Sequence, residues 1–167
     1  MSDPLERLAN LVRSPIPAVA GQWPTYERQF GITFPRQYKN LIDEFAGPSS
    51  WWDDTLHVLS PIRGGRYALR KNVDNILKGD RESREGSPEN YPLPLYPEAG
   101  GLFPWAVSDY ATLYWITRCG PGFGPDQWPT LIRGLRSYEF EVHFDPVDQI
   151  LYMIATGKLR SIVLPND

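Results

Sequence analysis

Between Tyr38 and Phe45 the apolar residues Tyr38, Leu41, Ile42 and Phe45 recur at i, i+3, i+4 and i+7, the stripe of an amphipathic helix. Pro35 precedes that helix and Gly47-Pro48 ends it. An earlier stripe, Leu5, Leu8, Leu11 and Val12, follows Asp3, Pro4 and Glu6, which supply a cap, a first-turn proline and capping-box spacing. A short helix is expected from Trp23 to Phe30, stopped by Gly31, with Glu27 set between Trp23 and Phe30 on one face. Leu69, Val73, Ile76 and Leu77 predict a further helix over about Tyr67 to Leu77. The last stripe is Val147, Ile150, Leu151 and Ile154, opened by Asp145-Pro146 and closed by Gly157.

Elsewhere the period is two. Leu102 to Thr117 reads as a hairpin with Ser108-Asp109-Tyr110 at its turn. In its second strand Leu113, Trp115 and Thr117 project to one side, while Thr112, Tyr114 and Ile116 project to the other. Both sides carry large apolar groups, so the strand should be interior and covered on both faces. Further strands are expected over Thr55 to Leu59 and Trp128 to Ile132. Tyr138 to Phe144 alternates, with Tyr138, Phe140, Val142 and Phe144 assigned inward and Glu139, Glu141 and His143 outward. The stretch 78–101 is polar, then Pro-rich, and shows no period. It reads as a long loop pinned at Tyr91, Leu93, Leu95 and Tyr96. Helices, then strands, then one helix give an α+β domain, a mostly antiparallel sheet with N-terminal helices and a C-terminal helix packed against it.

Composition sharpens this only a little. A chain of 167 residues fits one domain, and its six tryptophans supply apolar area enough to order loops rich in its 17 prolines. The net charge of −3 carries no basic block, which argues against direct nucleic-acid or anionic-membrane binding and permits a basic protein partner. A single cysteine allows no internal disulfide and suits a reducing compartment. No basic-then-apolar leader is present, and no apolar run nears the roughly 18 residues of a membrane span, so a cytoplasmic protein is expected.

Three groups of residues, in order, resemble the SMI1/KNR4 (SUKH) superfamily. The first is Trp23, Glu27 and Gly31, then Phe34-Pro35, Tyr38-Lys39 and Leu41-Ile42. The second is Leu102-Phe103-Pro104-Trp105-Ala106, then Asp109 and Leu113-Tyr114-Trp115. The third is Glu139 to Phe144 and the helix ending at Gly157, so that the resemblance spans about residues 20–160. It implies a single domain of the immunity-protein type, which neutralises a cognate toxin of a bacterial polymorphic-toxin system, often a nuclease, by stoichiometric binding. It implies no enzyme activity, no catalytic residues, no cofactor and no metal. A regulatory scaffold of the same fold is the alternative reading.

Local chemistry adds candidates for contact rather than for turnover. Cys119, with His57 or His143 as base, would be needed for a small hydrolase, but nothing fixes their approach. Gly120-Pro121-Gly122-Phe123-Gly124 lacks the backbone donors and the following Lys of a phosphate cradle, and reads as a rigid turn. Trp51-Trp52-Asp53-Asp54 offers aromatic groups beside acids, the chemistry of a hot spot for a basic partner. Glu139 and Glu141 would form an acidic row. The expected contact set for a toxin domain is therefore Trp51, Trp52, Asp53, Asp54, Asp109, Tyr110, Asp126, Glu139 and Glu141.

Overall fold

The computed structural model describes residues 22–45, 50–51, 56–62, 66–118 and 122–165. The stripe from Leu5 to Val12, the Gly47-Pro48 stop and Cys119 lie outside them. Helix α1 (Trp23–Phe30) has the expected bounds, and Gly31 closes it in the left-handed region at φ 68°. Glu27 is stabilised in the buried stripe by the Phe34 backbone N–H at 2.7 Å and by Lys39 at 3.4 Å. Helix α2 (Arg36–Phe45) follows, with Tyr38, Leu41 and Ile42 buried. Its first N–H, on Arg36, donates to Asp126 Oδ1 at 2.7 Å, so a residue distant in sequence serves as its cap.

Six antiparallel strands then follow the chain order: β1 (Ser50–Trp51), β2 (Leu56–Val58), β3 (Leu102–Ser108), β4 (Ala111–Ile116), β5 (Thr130–Gly134) and β6 (Phe140–His143). β4 is buried along its whole length, as expected of an interior strand. Its pairing with β3 shifts register between Pro104 and Ala106, leaving Trp105 as the extra residue of a bulge. Phe103 and Trp105 both stack nearly parallel on Trp115, at 5.7 and 5.9 Å between ring centroids. Phe34 and Tyr38 pack against Trp115 from the helical side, which makes this face an aromatic core.

Helix α3 runs over Leu69–Gly86, nine residues beyond the predicted end at Leu77, and so occupies the first part of the supposed loop 78–101. The extension has no apolar stripe. It is held from outside, by Tyr114 Oη donating to Asp80 at 2.7 Å and by Arg84 pairing with Glu98 at 2.8 Å. A 3₁₀ turn, Pro88–Asn90, follows. Beyond it the chain is pinned as expected, with Tyr91 and Leu95 buried and Leu93 and Tyr96 packed on the core. Helix α4 (Val147–Ala155) buries its predicted stripe, packs against α2, and ends at Gly157 with φ 67°. Helices thus lie on both faces of the sheet: α2 over Trp115 and α3 over Tyr114.

In β6 Val142 packs on the core and Glu139 is exposed, as assigned, but the other assignments fail. Phe144 is 73% exposed, and Tyr138 and Phe140 are also exposed, whereas the Glu141 and His143 side chains are only 14% and 16% exposed. The segment after α4 supplies the reason. It covers that side of the edge strand, where Ser161 Oγ donates to Glu141 Oε1 and the Ile162 N–H donates to Oε2 at 3.2 Å.

Candidate functional site

In a six-stranded meander the β3–β4 and β5–β6 turns fall at the same end of the sheet. Register places Trp51 in that row as well, since Trp51 pairs with Leu56 and Leu56 with Ser108. Ser108 shapes the first turn by accepting the Tyr110 and Ala111 N–H groups on its hydroxyl at 3.1 and 3.0 Å. The two turns are tied together by the Leu135 N–H, which donates to the Tyr110 carbonyl at 2.9 Å. A Cβ on Gly134 beneath them would lie 2.8 Å from Ser137 Oγ, a contact that rotation of this exposed serine relieves.

Asp109, Tyr110 and Glu139 consequently converge on one open hollow of 540 Å³, completed by Arg136, Ser137 and Ile162. Tyr110 is 49% exposed and Ile162 69%, so two large apolar side chains stand among acids in solvent. Such a surface can dock a protein, with the rings supplying desolvated area and the acids steering a basic partner.

The other members of the expected contact set fall elsewhere. Trp51 is placed by its backbone as the last residue of β1, and Trp52, Asp53 and Asp54 lie outside the described residues. Asp126 caps α2 through Oδ1 and Glu141 accepts from Ser161 and Ile162, and neither lines the turn hollow. Of the Cys–His arrangement, Cys119 lies outside the described residues; His57, on β2, stacks on Tyr67 at 3.9 Å, and His143 lies on β6.

A second hollow, of 420 Å³, lies on the other side of the β5–β6 turn and shares Gly134, Arg136 and Ser137 with the first. Its inner wall holds Arg133, which sequence reasoning missed. Arg133 is only 5% exposed, with its guanidinium carbon 4.4 Å from the Tyr91 ring centroid and 5.7 Å from that of Tyr114. Its Nε and Nη1 have no hydrogen-bond partner, and no carboxylate of the described residues pairs with it. An enclosed donor left unsatisfied costs ~1–3 kcal/mol, and more when charged, so this is an expensive arrangement. Asp80 lines the same hollow. Burial pushes its carboxyl above the ordinary range, opposed by the Tyr114 hydroxyl and by the charges of Arg133 and Arg81. Burial first, and Asp80 second, push the Tyr114 hydroxyl well above its ordinary value. A charged residue at the end of an apolar run, Thr130 to Ile132, was the available signal, but alternation alone does not place it under two tyrosines.

The fold and these hollows define an α+β protein with exposed Tyr110 beside Asp109 and Glu139 at one end of an antiparallel meander. No family model matches the sequence, and no curated protein or solved structure matches it significantly. Among the described residues, no helix is long and apolar enough to cross a membrane.

Proposed function

We propose that this protein is a non-enzymatic binding protein of the immunity type, which neutralises a cognate bacterial toxin domain by covering its active or substrate-binding surface. The observation that carries the reading is the convergence of Asp109, Tyr110 and Glu139, with exposed Ile162, on one hollow at the turn end of the sheet. Occlusion needs a rigid platform with projecting aromatic groups and a charge pattern opposite to that of its target. The aromatic core of Phe103, Trp105 and Trp115 supplies the platform, and the hairpin turns supply the projections. A nuclease domain, basic where it holds nucleic acid, is the kind of partner that an acidic rim suits. Such an encounter would take place in the cytoplasm.

Co-expression with toxin domains of polymorphic-toxin systems, beginning with any encoded beside this protein, tests this reading. Growth rescue together with a co-purifying 1:1 complex is the expected result. Failure of both removes the immunity reading for the pair tested.

A further inference from the structure

The free edge of β6 combines open main-chain groups, exposed rings and a self-complementary order of residues, none of which the turn hollow uses. We propose that β6 is the contact between two copies of this chain, which pair antiparallel about a two-fold axis at Val142 and join their sheets. The inference is independent of the toxin-binding reading.

β6 ends the sheet, with β5 on its inner edge. Gly134 donates its N–H to the Glu139 carbonyl at 3.1 Å, which sets the alternation along the strand. Glu139, Glu141 and His143 turn their main-chain groups to β5, so Phe140 and Val142 turn theirs outward. Among the described residues no backbone group bonds to that outer edge. The run Phe140 to Phe144 carries no lysine, proline or bulge of the kind that protects an edge strand. Instead Phe140 and Phe144 are exposed, and with Val142 they line an open apolar groove of 650 Å³ beside Leu93 and Phe123.

The occupant follows from the order of the residues. Phe140-Glu141-Val142-His143-Phe144 shows the same classes from either end: aromatic, ionisable, valine, ionisable, aromatic. An antiparallel pairing centred on Val142 sets each Phe140 opposite Phe144 of the other copy, and each Glu141 opposite His143. The outward main-chain groups of both copies then meet in hydrogen-bonded pairs. Centring one residue earlier would oppose Glu141 to itself, and one residue later would oppose it to Asp145, like charges that disfavour pairing. Of the three registers, the one at Val142 matches ring to ring and acid to base. A strand that is its own complement is what a two-fold contact requires.

Sedimentation equilibrium of the full chain should give a reversible dimer, twice the 19.1 kDa chain mass, within the range of roughly 1–100 µM. Phe140→Lys, which adds the charge that protects natural edges, should weaken the association at least about tenfold. Cross-linking in a Cys119→Ser background reads the register. Opposed residues of a hydrogen-bonded pair have Cα atoms about 5.5 Å apart, within disulfide reach, whereas the two copies of position 140, or of 144, would lie at least about 13 Å apart. Under mild oxidation a mixture of the Phe140→Cys and Phe144→Cys variants should therefore form a covalent dimer, and neither variant alone should cross-link. A monomer at every concentration would overturn the proposal and leave this edge to a strand of another protein. A dimer that Phe140→Lys leaves intact, or one that cross-links in either variant alone and not in the mixture, would overturn it as well.

Discussion

Tyr114→Phe removes one oxygen from the middle of the sheet and isolates a single interaction, the 2.7 Å hydrogen bond that ties β4 to the far half of α3 through Asp80. Hydrogen bonds to a charged partner contribute about 1.5–3 kcal/mol, against about 0.5–1.5 kcal/mol between neutral groups. At neutral pH the variant should therefore lose ~2 kcal/mol of stability, a fall of roughly 4–8 °C in Tm for a chain of this size. Burial raises the Asp80 carboxyl, and the Tyr114 hydroxyl opposes that rise. Loss of the hydroxyl should raise it further, so the ionised carboxylate is the form that suffers. The sign follows from this. The difference between wild type and variant should be largest above the Asp80 titration and shrink as pH falls through it. Urea unfolding from pH 4 to pH 8 reads the difference directly. In an Asp80→Ala background the same tyrosine change should cost little, under ~0.5 kcal/mol. An equal cost in both backgrounds, or a cost that does not change with pH, would refute the reasoning.

Two glycines should respond in opposite ways to alanine. Gly79→Ala, in open space on α3, should stabilise by ~1 kcal/mol in a urea titration, since glycine weakens a helix interior by about that amount. Gly101→Ala should destabilise by at least ~2 kcal/mol in the same assay, because its Cβ would fall 2.4 Å from the Tyr96 backbone nitrogen. Glu98 is held below the ordinary carboxylate range, first by its hydrogen bond from Arg84 and then by the Leu95 N–H. Its contribution should be present at neutral pH and be lost as pH falls through that lowered value. Glu98→Gln should therefore flatten the acid limb of a Tm-against-pH profile and leave the profile above pH 6 parallel to wild type.

Most of the helical framework was legible because its signals are local. A stripe plus a terminator places α1, α2 and α4, and Gly31 and Gly157 adopt the left-handed conformation their positions as stops require. The second half of α3 was not legible, since Asp80 and Arg84 are anchored by Tyr114 and Glu98, which are far away in sequence. The faces of β6 show a different limit. Alternation separates Phe140 and Val142 from Glu141 and His143, but it does not say which side will be covered. That is decided by Ser161 and Ile162, which arrive after α4 and engage Glu141. For the same reason Asp109, Tyr110 and Glu139 could be named from chemistry and then found together, whereas Asp126 and Glu141 bond elsewhere and do not line that hollow. Arg133 was passed over because a charge next to an apolar run is ordinarily solvated, and only Tyr91 and Tyr114 make it otherwise.

The most direct test of the proposed binding role is the affinity of the purified protein for a toxin domain whose growth inhibition it relieves, measured for Tyr110→Ala and Glu139→Lys against a Phe144→Ser control. Phe144 is exposed on the opposite side of β6, in an apolar groove with Phe123 and Phe140, away from the turn hollow. A central aromatic hot spot is worth ~2 kcal/mol or more, so Tyr110→Ala should weaken the complex by about 30-fold or more. Glu139→Lys should weaken it in a salt-dependent way, and Phe144→Ser should leave it within about twofold of wild type. Unchanged affinity in the two turn variants, with loss in Phe144→Ser, would contradict the account and move the partner surface to the β6 groove.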